Sequence, residues 1–284
     1  NMGGAMVERL CEQHQTVGVC DIDPARQQQA LAAGAELADR PDTLAHALSD
    51  AGVLIVCVVD AAQSHQVLFG EGGAAAALRP GQTVMLCPTI APEDTEALAG
   101  ALAQRGIGCI DAPMSGGPAR ARDGSMSLML AAPHALLAQH ADLLQTLACR
   151  RFVISERVGD GARTKLVNNL LAGINLVGAA EVMALAERLG LDLSSTLDVI
   201  EQSSGQSWIG SDRMRRAIAG DFEPRAHVTL LEKDTRLAVQ AARAAGFEGP
   251  LGARAADAFA QAHAAGLADR DDAALLLWLR RRGA

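Results

Sequence analysis

The 284-residue sequence has no tyrosine, and its six cysteines and seven histidines are scattered. No two cysteines form a C-x-x-C pair, and no histidine has a partner at a metal-ligand spacing. These absences exclude chemistry that needs a tyrosine hydroxyl and argue against a zinc site of the usual kind. Without a disulfide framework we expect reduced thiols, no bound metal and a cytoplasmic protein.

Excess positive charge and long apolar runs are also missing. The formal net charge is -8 at pH 7, which leaves no basic surface for nucleic acid. No stretch of about eighteen residues is apolar and free of charge, so we expect no membrane span. The remaining expectation is a small-molecule ligand, with neither nucleic acid nor membrane as a partner.

Lysine is the scarcest charged residue. Of 25 basic side chains, only Lys165 and Lys233 are lysines. A GC-rich genome would explain this bias without any function. Arginine stays charged in proteins, whereas lysine can release a proton where its site lowers its pKa. The two lysines are therefore candidates for roles that arginine cannot perform.

The two halves of the chain have different patterns. In the first half, short β-branched runs predict strands at 16–20, 53–59, 83–87, 108–110, 127–131 and 151–154. They alternate with stretches that predict helices at 24–33, 43–48, 74–78, 92–105 and 133–147. This alternation predicts a parallel sheet covered on both faces. After residue 154 only helical patterns follow, beginning with a long helix over 161–189. We expect an α/β Rossmann-type domain at 1–157 and an all-helical domain at 158–284.

The beginning of the chain resembles part of a dinucleotide-binding unit. Asn1, Met2 and Gly3 lead directly into a helical stretch, and Asp21 follows the next predicted strand. An acid at this place binds the adenosine ribose in Rossmann units, although a turn residue is the ordinary alternative. Ile22 follows instead of an arginine, which favours NAD over NADP. Only the last three positions of G-x-G-x-x-G are present, so we expect the first, central strand to be missing from this chain.

A second candidate motif opens the long helix. Lys165 and Asn169 are four residues apart and so share one face of the helix. Near the positive end of the helix dipole, and with burial, an ammonium is disfavoured, so we expect a lowered pKa for Lys165. Such a lysine can exchange a proton with a hydroxyl while hydride moves to or from a nicotinamide, and Asn169 can bond the same oxygen. A surface lysine on an amphipathic helix is the alternative.

Two further groups are suited to an acidic substrate. The segment Ser115-Gly116-Gly117 follows a strand and offers a hydroxyl and backbone N–H groups to a carboxylate. A generic turn at the end of a strand is the alternative. Lys233 lies in a later helical stretch and can bring a second cation to substrate or cofactor. Its alternative is an ordinary ion pair with a neighbouring acid.

Four ordered segments together resemble the β-hydroxyacid dehydrogenase family. They are NMG at 1–3, DAPMSGG at 111–117 with GSMS at 124–127, GDGARTKLVNN at 159–169, and EKD at 232–234. The resemblance covers essentially the whole chain. It implies NAD-dependent oxidation of a small 3-hydroxy acid, with Lys165 as general acid/base and Asn169 as its partner. It further implies that Ser115, Gly116 and Gly117 hold the substrate carboxylate.

The same resemblance implies the cofactor contacts and the assembly. Besides residues 1–3 and Asp21, it places Val58, Val59 and Thr89 against NAD, and Lys233 beside both cofactor and substrate. In this family the helical domain commonly forms dimers or tetramers. We therefore expect a homodimer or homotetramer with the long helix as its core.

Shorter segments narrow the expected substrate. VDAAQ at 59–63, QVLFGE at 66–71, SW at 207–208 and RMR at 213–215 are most similar to family members that act on L-threonate. The expected substrate is therefore L-threonate or a related sugar acid, with 3-hydroxyisobutyrate and tartronate semialdehyde as alternatives. A non-catalytic dinucleotide-binding scaffold is an alternative of another class, and the presence of Lys165 argues against it.

Overall fold

The computed structural model describes residues 1–282, which form two compact units. The first is Asn1–Lys165 and the second begins at Leu166. All strands within residues 1–282 lie in the first unit: β1 Gly18–Val19, β2 Glu36–Leu37, β3 Val53–Val56, β4 Thr83–Leu86, β5 Gly108–Asp111, β6 Met114–Ser115, β7 Ser127–Ala131 and β8 Arg150–Ser155. The domain boundary predicted at residue 157 stays a prediction.

Helices connect these strands and make up the second unit. In the first unit they are α1 Met2–Glu12, α2 Pro24–Ala32, α3 Pro41–Ala47, α4 Ala61–Phe69, α5 Pro92–Ala103, α6 Gly117–Asp123, α7 His134–Gln139 and α8 Ala141–Leu147. The helix α9, Asp160–Arg188, begins in the first unit and continues into the second. The others are α10 Leu193–Glu201, α11 Trp208–Ile218, α12 Val228–Ala244, α13 Gly252–Ala262 and α14 Leu275–Arg281.

The sheet departs from the expected all-parallel arrangement. Strands β3, β4 and β5 are parallel neighbours, as are β7 and β8, but β7 is antiparallel to both β5 and β6. The cause is that β6 continues beyond β5 and α6 turns the chain around. Strand β7 then runs back until it meets the end of β5 at the pair Asp111–Ala131.

Strands β1 and β2 form a separate parallel pair outside the six-stranded sheet. The sequence patterns predicted that the first strand belongs to the same sheet as the later strands, and the structure shows that it does not. The expectation that a central strand is missing from this chain stays a prediction.

Several short elements were not predicted from the sequence. They are β2, β6, α4 and α6, and the single helix expected at 133–147 is divided into α7 and α8. The division lies at His140, which is buried and whose ring nitrogen Nε2 lies 2.8 Å from Thr83 Oγ1. Burial lowers the pKa of His140. A buried polar contact of this kind depends on a strand 57 residues away, so no local pattern encodes it.

Both faces of the six-stranded sheet are covered, as the apolar strands predicted. Alternate residues of β4 point to opposite faces: Met85 joins the core that contains Met6 and Leu128, whereas Val84 joins the core that contains Leu102. The carboxyl ends of the strands are thus held rigidly between two apolar layers.

Helix α9 is the centre of the second unit. Its residues Leu176, Ala180 and Met183 are fully buried in one core with Phe259 and Leu276. Within residues 1–282, α9 alone is long and apolar enough to cross a membrane by length and composition. Its packing in the core gives another reason for that apolar composition.

Candidate active site

The predicted cofactor residues lie around the carboxyl ends of β3 and β4. Val58 and Val59 follow β3, and Thr89 follows β4, whose parallel pairing brings the two ends to one edge. Helix α1 begins at this edge. Its Gly3 is close to Cys57, the residue after β3: a methyl group added at Gly3 would lie 3.4 Å from Cys57 Sγ. A helix N-terminus beside the carboxyl ends of parallel strands is suited to the pyrophosphate of a dinucleotide.

Asp21 lies in a turn after β1 and is exposed. Its Oδ1 accepts a hydrogen bond from the backbone N–H of Asp23 at 2.9 Å, so it makes the turn contact that was the ordinary alternative. Its ribose-binding role stays a prediction. The next side chain, Ile22, is 99% exposed. The structure also brings a cation that the sequence patterns missed to this place: Arg26 donates to Asn1 Oδ1 at 3.2 Å.

The predicted carboxylate-binding segment begins where β6 ends. Ser115 pairs with Ser127 of β7, and α6 starts at Gly117. Gly116 and Gly117 have φ values of +133° and +74°, which side chains other than glycine rarely adopt. Arg120, one turn into α6, packs over Gly116: a methyl group added at Gly116 would lie 3.0 Å from Arg120 Cβ. The sequence patterns gave no role to this arginine.

Lys165 and Asn169 lie on one face of α9 and are both buried, each with 8% of its surface exposed. The alternative of a surface lysine therefore does not describe Lys165. A lysine is seldom this buried unless a partner or a function holds it there. The two predicted catalytic residues thus lie on one helix, four residues apart.

Asp234 connects Asn169 with Lys233. Its Oδ2 accepts from Asn169 Nδ2 at 2.6 Å, and its Oδ1 accepts from Lys233 Nζ at 2.7 Å. Asp234 is 6% exposed. Since a carboxylate only accepts hydrogen bonds, this contact also fixes which way the Asn169 amide points. The ion pair offered as the alternative for Lys233 is present, and it extends to a predicted catalytic residue.

The close packing of α9 and α12 makes this connection possible. A methyl group added at Gly173, one turn beyond Asn169, would lie only 2.5 Å from Thr235 Cγ2. Thr235 follows Asp234 directly and is fully buried. The glycine therefore lets α12 approach near enough for the Asp234 carboxylate to reach Asn169.

The first turn of α9 is held by polar contacts. Ser155 Oγ donates to Asp160 Oδ2 at 2.7 Å, and Arg163 donates to Glu96 at 2.8 Å. The Ser155 hydroxyl lowers the pKa of Asp160, and the Arg163 guanidinium lowers that of Glu96. These contacts fix the start of the helix at Asp160, five residues before Lys165. Within residues 1–282, no three His, Cys, Asp or Glu side chains are grouped to hold a metal ion.

Comparison with known proteins covers both units. The family model described as the NAD-binding domain of 6-phosphogluconate dehydrogenase matches residues 1–155. The model described as NAD-binding of NADP-dependent 3-hydroxyisobutyrate dehydrogenase matches residues 159–279. L-threonate dehydrogenase of Cupriavidus necator is 36% identical over 97% of this chain and 92% of the relative.

Two more relatives extend this comparison. A 3-hydroxyisobutyrate dehydrogenase of Pseudomonas aeruginosa is 31% identical over 91% of this chain and 88% of the relative. A crystal structure described as 3-hydroxyisobutyrate dehydrogenase from Salmonella typhimurium superimposes with a TM-score of 0.89 at 34% identity, covering 98% of this chain and 96% of that one.

These matches confirm the family predicted from the four segments and the Rossmann-type and helical parts predicted for the fold. They also confirm that the protein is an oxidoreductase that uses a nicotinamide dinucleotide. The chain belongs to the 3-hydroxyisobutyrate dehydrogenase-like family of NAD(P)-dependent hydroxyacid dehydrogenases.

Proposed function

We propose that this enzyme oxidises L-threonate, or a closely related sugar acid, with NAD. The observation that carries the chemistry is the buried pair Lys165 and Asn169 on α9, with Asn169 bonded to Asp234. The substrate follows from similarity, because five L-threonate dehydrogenases are 34–39% identical to this chain over 78–97% of its length.

Proton transfer is the role that we assign to Lys165. In its uncharged form its Nζ accepts the proton of the substrate hydroxyl as the O–H bond breaks and the C=O bond forms. When bound, NAD supplies the acceptor for the hydride that leaves the same carbon. Asn169 donates to the reacting oxygen through its amide, whose orientation Asp234 fixes. In the reverse reaction Lys165 returns the proton.

Binding of the acid group is the role that we assign to Ser115, Gly116 and Gly117. The hydroxyl and the backbone N–H groups of this turn supply hydrogen bonds, and the Lys233 ammonium supplies positive charge. Cofactor binding is the role that we assign to the first turn of α1 and to Val58, Val59 and Thr89. We assign Lys233 a contact with the cofactor as well. The preference for NAD rests on the Asp21 carboxylate, which can bond both ribose hydroxyls but repels a 2′-phosphate.

A second candidate substrate is 3-hydroxyisobutyrate. It is favoured by the P. aeruginosa relative and by the description of the S. typhimurium structure. The lower identity to that relative, 31% against 36% for the C. necator enzyme, places it second.

A substrate screen decides between them. Purified protein is incubated with L-threonate, D-threonate, 3-hydroxyisobutyrate or glycerate, with NAD and NADP in parallel, and reduced cofactor is followed by its absorbance. We expect L-threonate with NAD to give the highest kcat/KM. Faster oxidation of 3-hydroxyisobutyrate would select the second candidate, and faster turnover with NADP would refute the cofactor preference.

We further propose that the enzyme is a homo-oligomer that associates through α9, in the cytoplasm, where its six free cysteines stay reduced. Four large apolar residues of α9, and a fifth directly after its end, are 44–71% exposed: Val167, Leu171, Val182, Leu185 and Leu189. At 3.6 residues per turn they lie within about 60° of one another around the helix. An exposed apolar stripe of this length is suited to the same stripe of a second copy.

Charge on this stripe is expected to separate the copies. The double variant Leu171→Glu, Leu185→Glu would place two carboxylates in the proposed interface and yield monomers. Light scattering after size-exclusion chromatography measures the mass directly. Val199→Glu is the matched control, since Val199 is 65% exposed on α10. A wild-type protein with the mass of one chain, or a double variant that keeps the oligomer mass, would contradict this interface.

A further inference from the structure

A buried carboxylate holds the beginning of α9 and belongs to none of the roles assigned above. Asp111 is the last residue of β5 and is 2% exposed. Its Oδ2 accepts hydrogen bonds from the backbone N–H groups of Gly159 at 2.8 Å and Ala162 at 3.0 Å. It therefore satisfies N–H groups at a helix end that have no partner within the helix.

Asp111 makes these hydrogen bonds in the protein interior and not at the surface. Burial raises its pKa to about 6, although the N–H groups of Ala162, Gly159 and Gly161 oppose that rise. A buried carboxyl costs free energy unless it is well bonded. The hydrogen bonds to Gly159 and Ala162 supply that compensation, so the carboxylate and the start of α9 depend on each other.

Contact between the helix and the sheet is tight at the same turn. A methyl group added at Gly161 would lie 2.7 Å from the Met129 carbonyl oxygen and 2.9 Å from Asp111 Oδ2. Lys165 lies four residues beyond Gly161, on the same helix face. Helical side chains lean towards the N-terminus, so the Lys165 stem extends back over the turn that Asp111 holds. Any rotation of that turn is transmitted to Lys165.

The ion pair between Glu96 and Arg163 at this turn is a weaker anchor. The Glu96 and Arg163 side chains that pair there are 39% and 35% exposed. Ion pairs at such exposure contribute little, typically below about 1 kcal/mol. Asp111 is thus the buried anchor of the turn, and Glu96 offers a matched control on its exposed side.

We propose that Asp111 is a positioning residue for Lys165: by bonding Gly159 and Ala162 it fixes the rotation and depth of the first turn of α9. The proposal rests on the proposed function, in which Lys165 exchanges the proton. It links the DAPMSGG segment to the catalytic helix, so that one strand end carries the anchor of the lysine as well as the turn that holds the substrate carboxylate.

The experiment compares Asp111 variants with and without Lys165, on the full chain with its best substrate. A misplacement of about 1 Å can cost about 100-fold in rate, so we expect Asp111→Ala to lower kcat by about 30- to 100-fold. We expect KM and the NAD dissociation constant to change less than about threefold. Asp111→Asn keeps an oxygen where both N–H groups bond and should recover most of the activity. Glu96→Ala should keep kcat within about twofold of wild type.

The background without lysine separates positioning from general stability. In Lys165→Met, adding Asp111→Ala should lower the residual rate by no more than about threefold, because there is no lysine left to misplace. An equal loss in both backgrounds, or an Asp111→Ala enzyme with wild-type kcat, would overturn the proposal. If Asp111→Ala does not fold by circular dichroism, Gly161→Ala decides: it displaces the same turn with the carboxylate present, and unchanged kcat there refutes the proposal.

The proposed function fails in a different way. If Lys165→Met keeps wild-type turnover, Lys165 does not exchange the proton, and the role of Asp111 is refuted with it. If Lys165→Met is inactive while Asp111→Ala is fully active, only the positioning role is refuted.

Discussion

Replacing Lys165 with arginine is expected to lower kcat by about 1,000-fold, within the 100- to 10,000-fold range of general acid–base catalysis. Arginine keeps the positive charge and much of the length of the side chain, but its guanidinium does not release its proton in proteins. It therefore cannot accept the proton of the substrate hydroxyl. Steady-state oxidation of L-threonate with NAD measures the loss. KM is expected to change far less than kcat, because the interaction is made in the transition state.

The control for this variant is Arg163→Lys, two residues earlier on α9. Arg163 pairs with Glu96 and Asp160 and is only partly buried, so a lysine there should leave kcat within about threefold of wild type. Binding of NAD should be the same in both variants and in wild type, which excludes a folding defect. An Lys165→Arg enzyme that keeps more than a tenth of wild-type kcat would refute the proton role.

The sequence predicted best those features that local pattern and scarcity encode. A long helix was expected at 161–189, and the structure has it at Asp160–Arg188. Lys165 was singled out because the chain has only two lysines. Spacing along a helix then brought in Asn169. None of these inferences needed a contact between distant parts of the chain.

The features that the sequence did not predict depend on contacts between distant residues. Asp234 bonds Asn169 across 65 residues, and Asp111 bonds Gly159 across 48. Asp234 and Asp111 belong to the EKD and DAPMSGG segments, but local spacing does not show which hydrogen-bond donor an acidic side chain will contact in the fold. The antiparallel course of β7 was missed for the same reason, since it depends on how β6 and α6 turn the chain.

Replacing Asp234 with alanine is expected to lower kcat/KM by about 100-fold, the loss that misplacement of a reacting group produces. The variant removes the acceptor of the Asn169 amide and of the Lys233 ammonium together. Both donors then stay buried or partly buried without that partner, so the free energy of unfolding should fall by about 3–5 kcal/mol. Steady-state kinetics and urea unfolding measure the two effects separately.

Asp234→Asn distinguishes the hydrogen bonds from the charge. An amide has one acceptor oxygen and presents N–H groups on its other side, so it can accept from Asn169 or from Lys233 but faces the other as a second donor. We expect a loss between wild type and Asp234→Ala, about 10-fold in kcat/KM. Asp257→Ala is the control, since Asp257 is an exposed acid on α13 that bonds only Gln261 in the contacts of the described residues.

A double-mutant cycle with Asn169→Ala shows whether Asp234 acts through that amide. If Asp234 mainly orients Asn169, its removal should cost much less in the Asn169→Ala enzyme than in wild type, with a coupling energy of about 1–3 kcal/mol. If the two losses simply add, Asp234 acts through Lys233 or through the packing of α12. The same cycle with Lys233→Met then separates these two, because only the first predicts coupling to the lysine.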